Sequence, residues 1–196
     1  NIQSDNSNFF DAHLLLVLDS LKKNDFDKAL VYLKKIENSL QKDKFNSAIK
    51  ESLHQYLYVF KEKKIYNNKK NFGKLSIISE TFQRCYLSDL TTGTYFSNLI
   101  NDSEVDYSRY IFFYLSYLID QNEIDEVKKL VDDIDYINTT LLLSQAKSWI
   151  ENNNIEKFKN VFSCQNHNDI ISEFLFLISN LYSSQDNFKK SNYYLN

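Results

Sequence analysis

Apolar residues return at helical spacing along most of the chain. From Ile49 to Phe60 they step by three or four residues, the interval that places side chains on one face of a helix. The same spacing predicts helices at about 45–66 and 74–88 and a short helix at 94–101. The pattern therefore predicts an all-α protein.

A short motif recurs four times between predicted helices. It reads polar, polar, Phe or Ile, charged, charged, and then a residue that we expect to face inward. The four copies are NDFDKA at 24–29, NEIDEV at 122–127, NNIEKF at 153–158 and DNFKKS at 186–191. The anchors Phe26, Ile124, Ile155 and Phe188 are separated by 98, 31 and 33 residues, and the first interval is close to three times 33. Such a period indicates a repeat of two helices joined by a bend.

In period and phase the chain resembles the tetratricopeptide repeat family. The last unit matches the family pattern best, at Leu175, Ile178, Ser179, Tyr182, Phe188, Ser191 and Leu195. The first unit matches at Ala12, Leu16, Phe26, Ala29 and Leu33. Asn or Asp stands where the family bend usually has glycine, and these side chains accept left-handed backbone better than most. The resemblance implies a right-handed α-α superhelix, a solenoid of antiparallel helical hairpins.

The repeat phase defines an expected organisation. We predict one repeat domain over residues 1–196, irregular in the middle because residues 44–105 do not keep the phase. The predicted units are 9–40, 44–88 (irregular), 106–136, 138–163 and 170–196. Because the last unit is incomplete, we expect a fragment of a longer protein whose exposed C-terminal repeat edge packs against missing sequence or against another copy.

The resemblance also implies a partner groove on the first helices of the units. Its side chains would be Leu14, Leu18, Phe112, Ser116, Leu143, Lys147, Phe176 and Asn180. They form an apolar stripe with a polar edge, which suits an amphipathic helix or an extended apolar segment of a partner. The alternative interpretation is that the same side chains pack against neighbouring helices.

Composition limits the kinds of fold and of functional site that the chain can form. With two glycines and no proline, a turn-rich β fold and a glycine-cradled phosphate site are disfavoured. Two cysteines do not make a disulfide framework, so we expect Cys85 and Cys164 to be reduced and partly buried, which favours a cytoplasmic location. Cys164 and His167 have the spacing of half a zinc site, but no second pair accompanies them. We therefore expect no metal, no cofactor and no catalytic site.

Charge is unevenly distributed. Residues 42–74 carry nine Lys against three acids, whereas residues 101–135 carry ten acids against three basic residues. The stretch 61–74 interleaves Lys with Tyr66 and Phe72, as a surface for nucleic acid or an acidic partner would. An overall charge of −3 makes nucleic acid the less favoured partner.

Three functional hypotheses follow. The first is a noncatalytic scaffold segment for protein–protein contacts, from a bacterium with an AT-rich genome because Asn and Lys are abundant. The second is a helical accessory domain of an enzyme whose catalytic part lies outside this chain. The third is binding of nucleic acid or an acidic partner through 61–74. No membrane span is expected, because the longest apolar run, 110–119, is about half the roughly 20 residues that a bilayer helix needs.

Overall fold

Helices form the regular structure of this chain. The computed structural model describes residues 7–36, 45–67, 70–101, 108–133 and 140–196, and these ranges contain no strand. The helices within them are α1 Ser7–Lys22, α2 Phe26–Ile36, α3 Asn46–Glu62, α4 Lys74–Tyr86, α5 Thr92–Ile100, α6 Ser108–Asp120, α7 Ile124–Asp132, α8 Leu141–Glu151, a 3-10 helix Ile155–Asn160, α9 His167–Ser183 and α10 Phe188–Leu195. The predicted all-α class is confirmed. The parts of the predicted units that fall on 37–44, 68–69, 102–107 and 134–139 lie outside the described residues.

The three helices predicted for the middle of the chain are present as α3, α4 and α5. The largest difference is at the end of α3, which stops four residues before the predicted boundary. Lys63 adopts left-handed backbone there, with φ 55°, and its N–H donates to the carbonyl of Val59. This hydrogen bond closes the helix end.

All four predicted anchors begin a helix after a short turn. They open α2, α7, the 3-10 helix and α10 respectively. The residue two places before each anchor has a positive φ, and these residues are Asn24 (60°), Asn122 (61°), Asn153 (54°) and Asp186 (56°). The predicted use of Asn or Asp in place of glycine is confirmed at all four bends.

The same pair of backbone hydrogen bonds closes each bend. In the first, Asn24 N–H donates to Leu21 O and Asp25 N–H donates to Ser20 O, both at 2.9 Å. This is the Schellman arrangement, which satisfies carbonyls that a helix end would otherwise leave without partners. The equivalent pairs of donors in the other bends are Asn122 and Glu123, Asn153 and Asn154, and Asp186 and Asn187. One local geometry therefore ends four helices.

A fifth bend of this type joins α4 to α5. Ser88 has φ 50°, and the N–H of Asp89 donates to the carbonyl of Arg84 at 3.0 Å. Leu90 stands at the anchor position, one residue from Thr91, where an unbroken period would place it. A bend of the same geometry therefore also occurs in the middle of the chain, but Leu90 does not open a helix, since α5 begins at Thr92. The irregular organisation of 44–88 stays a prediction. The sequence motif is hard to recognise at this bend. The residue with positive φ is Ser in place of Asn or Asp, and the anchor is an exposed Leu in place of Phe or Ile.

The chain divides into two compact units. Unit 1 consists of Asn1–Ser79 and Ile171–Asn196, and unit 2 consists of Glu80–Ile170. Organisation as one repeat domain stays a prediction.

Unit 1 brings its first and last helical hairpins into contact. The hydroxyl of Tyr193 on α10 donates to the backbone carbonyl of Asp11 on α1 at 2.9 Å. The rings of Tyr56 on α3 and Phe174 on α9 also meet edge to face, with centroids 5.7 Å apart. In a linear array each repeat contacts only its neighbours, so these two contacts are additional to those of a linear stack. The predicted right-handed superhelix stays a prediction.

Unit 2 is built around an aromatic core. The centroid of Phe82 lies 5.6 Å from that of Phe113 and 5.5 Å from that of Phe162. Phe113 and Phe162 are closer still, at 4.1 Å. Aromatic pairs of this kind contribute about 0.5–1.5 kcal/mol each beyond the area that they bury.

A disulfide crosses unit 2. Cys85 at the end of α4 is bonded to Cys164, 79 residues later, with the Cα atoms 5.5 Å apart. Both residues are buried. The expectation of reduced cysteines is therefore wrong, because a count of two says nothing about whether the fold brings them together. The predicted preference for a reducing compartment rested on reduced cysteines, so it is no longer supported.

Two positions that the repeat pattern predicts to face inward are exposed. Leu16 is 41% exposed and Leu195 is 56% exposed. On α1 the buried face is formed by Leu14 and Val17, and on α10 Tyr194 is buried in place of Leu195. The predicted inward residues three positions after the anchors, in contrast, are all buried: Ala29, Val127, Phe158 and Ser191.

Candidate functional site

Five of the eight predicted groove residues are buried. They are Leu14, Phe112, Ser116, Leu143 and Lys147. Phe112 stacks on Phe158 with centroids 5.0 Å apart, and Ser116 Oγ donates to the carbonyl of Phe162 at 2.7 Å. These side chains pack against neighbouring elements, as the alternative interpretation describes. A partner reaches them only if those elements separate.

The remaining three groove residues have accessible side chains. Leu18 on α1 and Phe176 on α9 are partly exposed, and Asn180 on α9 is exposed. All three belong to unit 1. Their role in partner contact stays a prediction.

The outer face of α1 carries apolar side chains that the repeat phase did not predict there. Leu15 is 55% exposed, and together with Leu16 and the exposed Ala12 it forms an apolar patch. The same face then becomes charged, with Lys23 Nζ 2.7 Å from Asp19 Oδ2. The signal was present in the sequence, because three consecutive leucines at 14–16 cannot all lie on one face of a helix.

The outer face of α10 is also partly apolar. Phe188 is 58% exposed, and Leu195 lies seven residues later on the same side of the helix. That the last repeat has an exposed edge through which the chain self-associates stays a prediction.

A small pocket lies between α2 and α3, and Tyr66 from the segment after α3 also lines it. Its volume is about 180 Å³. Its lining residues are Leu30, Leu33, Lys34, Lys50, Glu51, His54 and Tyr66. We call this site the basic pocket. The sequence predicts a binding role only for Tyr66 among these residues, and Leu33 enters as a position of the repeat pattern. The others are distributed over two helices with ordinary amphipathic patterns.

The ring of Tyr66 forms the aromatic wall of the basic pocket. Its centroid lies 5.4 Å from the imidazole of His54 and 5.2 Å from the ring of Tyr58, in edge-on geometry. Burial, followed by the charge of Glu51 and the neighbouring Tyr58, raises the pKa of Tyr66. The phenol is therefore neutral at physiological pH.

Part of the predicted Lys-rich surface is engaged in ion pairs. Lys61 Nζ lies 2.6 Å from Asp27 Oδ1, and Lys70 Nζ lies 4.0 Å from Glu51 Oε2. Lys69 lies outside the described residues. A surface that attracts nucleic acid needs positive charge that is not matched locally, so these pairs weaken the nucleic-acid hypothesis.

Unit 2 contains a larger, polar cleft of about 420 Å³. Its lining residues are Ser88, Asp120, Gln121, Lys159, Ser163 and Gln165. Ser163 Oγ donates to Asp120 Oδ2 at 3.2 Å, and Gln165 Nε2 donates to Ser88 Oγ at 3.0 Å. Because these polar groups hydrogen-bond one another, we interpret them as a structural network and not as a ligand site.

The described ranges were compared with the requirements of a metal site and of a membrane-spanning helix. No three His, Cys, Asp or Glu side chains within 7–36, 45–67, 70–101, 108–133 and 140–196 are grouped so as to hold a metal ion. The sulfur of Cys164 is bonded to Cys85, so the predicted half zinc site with His167 has no thiolate to offer. No helix in these ranges has the length and apolar character to span a membrane.

Comparisons with known proteins do not assign the chain to a family. No protein-family model, no curated protein and no solved structure matches it.

Proposed function

We propose that this chain is a noncatalytic helical-hairpin module that binds a polypeptide partner. The observation that carries the proposal is the exposed apolar patch of Ala12, Leu15 and Leu16 on α1. Exposed leucines side by side on one helix face are typical of a surface that another molecule covers. An amphipathic helix or an extended apolar segment of the partner would be the occupant.

The recurring bend supports a tetratricopeptide-like origin for the hairpins. Five bends share the Schellman hydrogen bonds, and four of them carry the predicted anchor. We propose that the hairpins are divergent tetratricopeptide-like repeats that stack in a right-handed sense. The contact between Tyr193 and Asp11 limits how open that stack is within unit 1.

Binding to α1 is tested by capture with the whole chain as bait. The variant replaces both leucines with aspartate, Leu15→Asp and Leu16→Asp. Its matched control is Leu90→Asp with Leu141→Asp, which changes two exposed leucines in unit 2. We expect a protein that is captured by the wild type and the control, but lost by the α1 variant with its helical circular dichroism retained. Equal capture by all three baits would refute the role of α1.

Phe112 is not a suitable probe of a partner surface. Its side chain is fully buried beside Phe158, so Phe112→Asp would unfold unit 2. Binding would then be lost through unfolding and not through the loss of a partner contact. Phe176 and Asn180 remain usable probes of the predicted groove, because both are accessible.

A further inference from the structure

The basic pocket has the shape and charge of a recognition site for one acidic side chain. Leu30 and the buried Leu33 are its apolar residues. Lys34 comes from α2, while Lys50 and His54 come from α3, one helical turn apart. An apolar surface beside ammonium groups matches a ligand with a short hydrocarbon stem and an anionic end.

Lysines outnumber carboxylates among the described residues that line this pocket. These residues include Lys34 and Lys50, and one carboxylate, that of Glu51. Lys70 Nζ lies 4.0 Å from that carboxylate and offsets its charge. An anion that enters the pocket meets the lysines of its lining, and a hydrogen bond from an ammonium group to a carboxylate is stronger than one between neutral groups.

The volume of the basic pocket indicates which class of ligand it can hold. Pockets for small molecules and cofactors usually measure about 300–1,000 Å³. At about 180 Å³ the basic pocket is too small for a nucleotide, but it has room for one side chain. Glutamate, with two methylenes and a carboxylate, matches both the leucines and the lysines.

We propose that the basic pocket binds a glutamate side chain of the partner polypeptide, with the carboxylate held by Lys34 and Lys50. This inference rests on the proposed function and names the chemistry of the partner. The wall formed by Tyr66 and His54 would shield the carboxylate from water on one side and strengthen its hydrogen bonds.

The test measures binding of fluorescent poly-L-glutamate to the whole chain by anisotropy. The pocket variant is Lys34→Gln with Lys50→Gln, accompanied by Lys34→Gln alone, which changes only an exposed residue. The matched control, Lys157→Gln with Lys189→Gln, removes the same charge at two exposed positions elsewhere. Poly-L-aspartate and oligothymidylate serve as competing anions of different shape.

We expect the pocket variant to weaken poly-L-glutamate binding about tenfold or more and the single variant to weaken it less, since each removes charge-assisted hydrogen bonds. The control should change binding less than about twofold, because screened surface charges contribute little. Poly-L-aspartate, with its shorter stem, should bind more weakly than poly-L-glutamate.

Three results would contradict the proposal that the basic pocket binds a glutamate side chain. They are no binding of poly-L-glutamate, equal losses in the pocket and control variants, and preferential binding of oligothymidylate. Each leaves the capture experiment on Leu15 and Leu16 unaffected, so failure of the pocket and failure of the proposed function are distinguishable.

Discussion

The two units differ in how their polar and apolar groups are used. Unit 2 has a disulfide, a core of closely packed phenylalanines and a cleft whose polar groups bind one another. Unit 1 carries the exposed leucines of α1 and the basic pocket. The apolar patch of α1 and the basic pocket belong to the unit that does not hold the disulfide. We infer that unit 2 is specialised for stability and unit 1 for recognition.

The largest effect should follow loss of the disulfide. In the variant Cys85→Ser with Cys164→Ser, the unfolded chain regains the freedom of a loop of 79 residues. The chain-entropy relation assigns a loop of this length about 4.5 kcal/mol. Hydrogen exchange followed by mass spectrometry should show faster exchange in peptides of unit 2 and little change in unit 1. Reducing agent added to the double variant should have no further effect. Equally faster hydrogen exchange in both units would contradict the assignment of the disulfide's stabilising effect to unit 2.

A smaller loss is expected at the buried hydroxyl of Ser116. Ser116→Ala leaves the buried carbonyl of Phe162 without this donor, at a cost of about 2 kcal/mol in the free energy of unfolding. The matched control is Ser148→Ala, at an exposed position of α8, which should change stability by less than about 0.5 kcal/mol. Urea denaturation of both variants gives the comparison, and equal stabilities would contradict a structural role for this hydrogen bond.

The bends should respond alike in both units. Asn24 in unit 1 and Asn122 in unit 2 hold the same left-handed conformation. Replacement by alanine at either site should cost about 1 kcal/mol, because a Cβ without a compensating polar group is disfavoured there. Replacement by glycine should be neutral or slightly stabilising. Thermal unfolding measures both pairs, and an alanine variant as stable as its glycine counterpart would argue against the shared geometry.

The smallest effect concerns acid sensitivity in unit 2. Hydrogen bonds from Thr91, and then the hydrogen bond and charge of Arg84, lower the pKa of Asp89 below its ordinary value of 3.8. The ionised carboxylate therefore contributes stability that is present above pH 3.8 and is lost as pH falls through the lowered pKa. Asp89→Asn should flatten the decline in stability of unit 2 at acid pH. An unchanged acid profile would show that this carboxylate contributes little.

The local structure was largely predictable from the sequence, whereas the environment of individual side chains was not. Bend positions follow from chain-local chemistry, since Asn and Asp tolerate left-handed backbone and apolar spacing marks the flanking helices. The partners of Phe112 and Cys164 are set by elements distant in sequence. Helical spacing therefore does not distinguish a groove residue from a packed one, and a count of two cysteines does not reveal their bond. Leu15 was missed because periodicity alone does not show which of three adjacent leucines faces outward.

The central claim is that recognition belongs to unit 1 while unit 2 provides stable support. Hydrogen exchange of the whole chain, with and without saturating poly-L-glutamate, tests it most directly. We expect slower exchange in peptides that contain Lys34, Lys50 and Tyr66, and unchanged exchange throughout unit 2. Slower exchange centred on unit 2, or no difference anywhere, would contradict the claim.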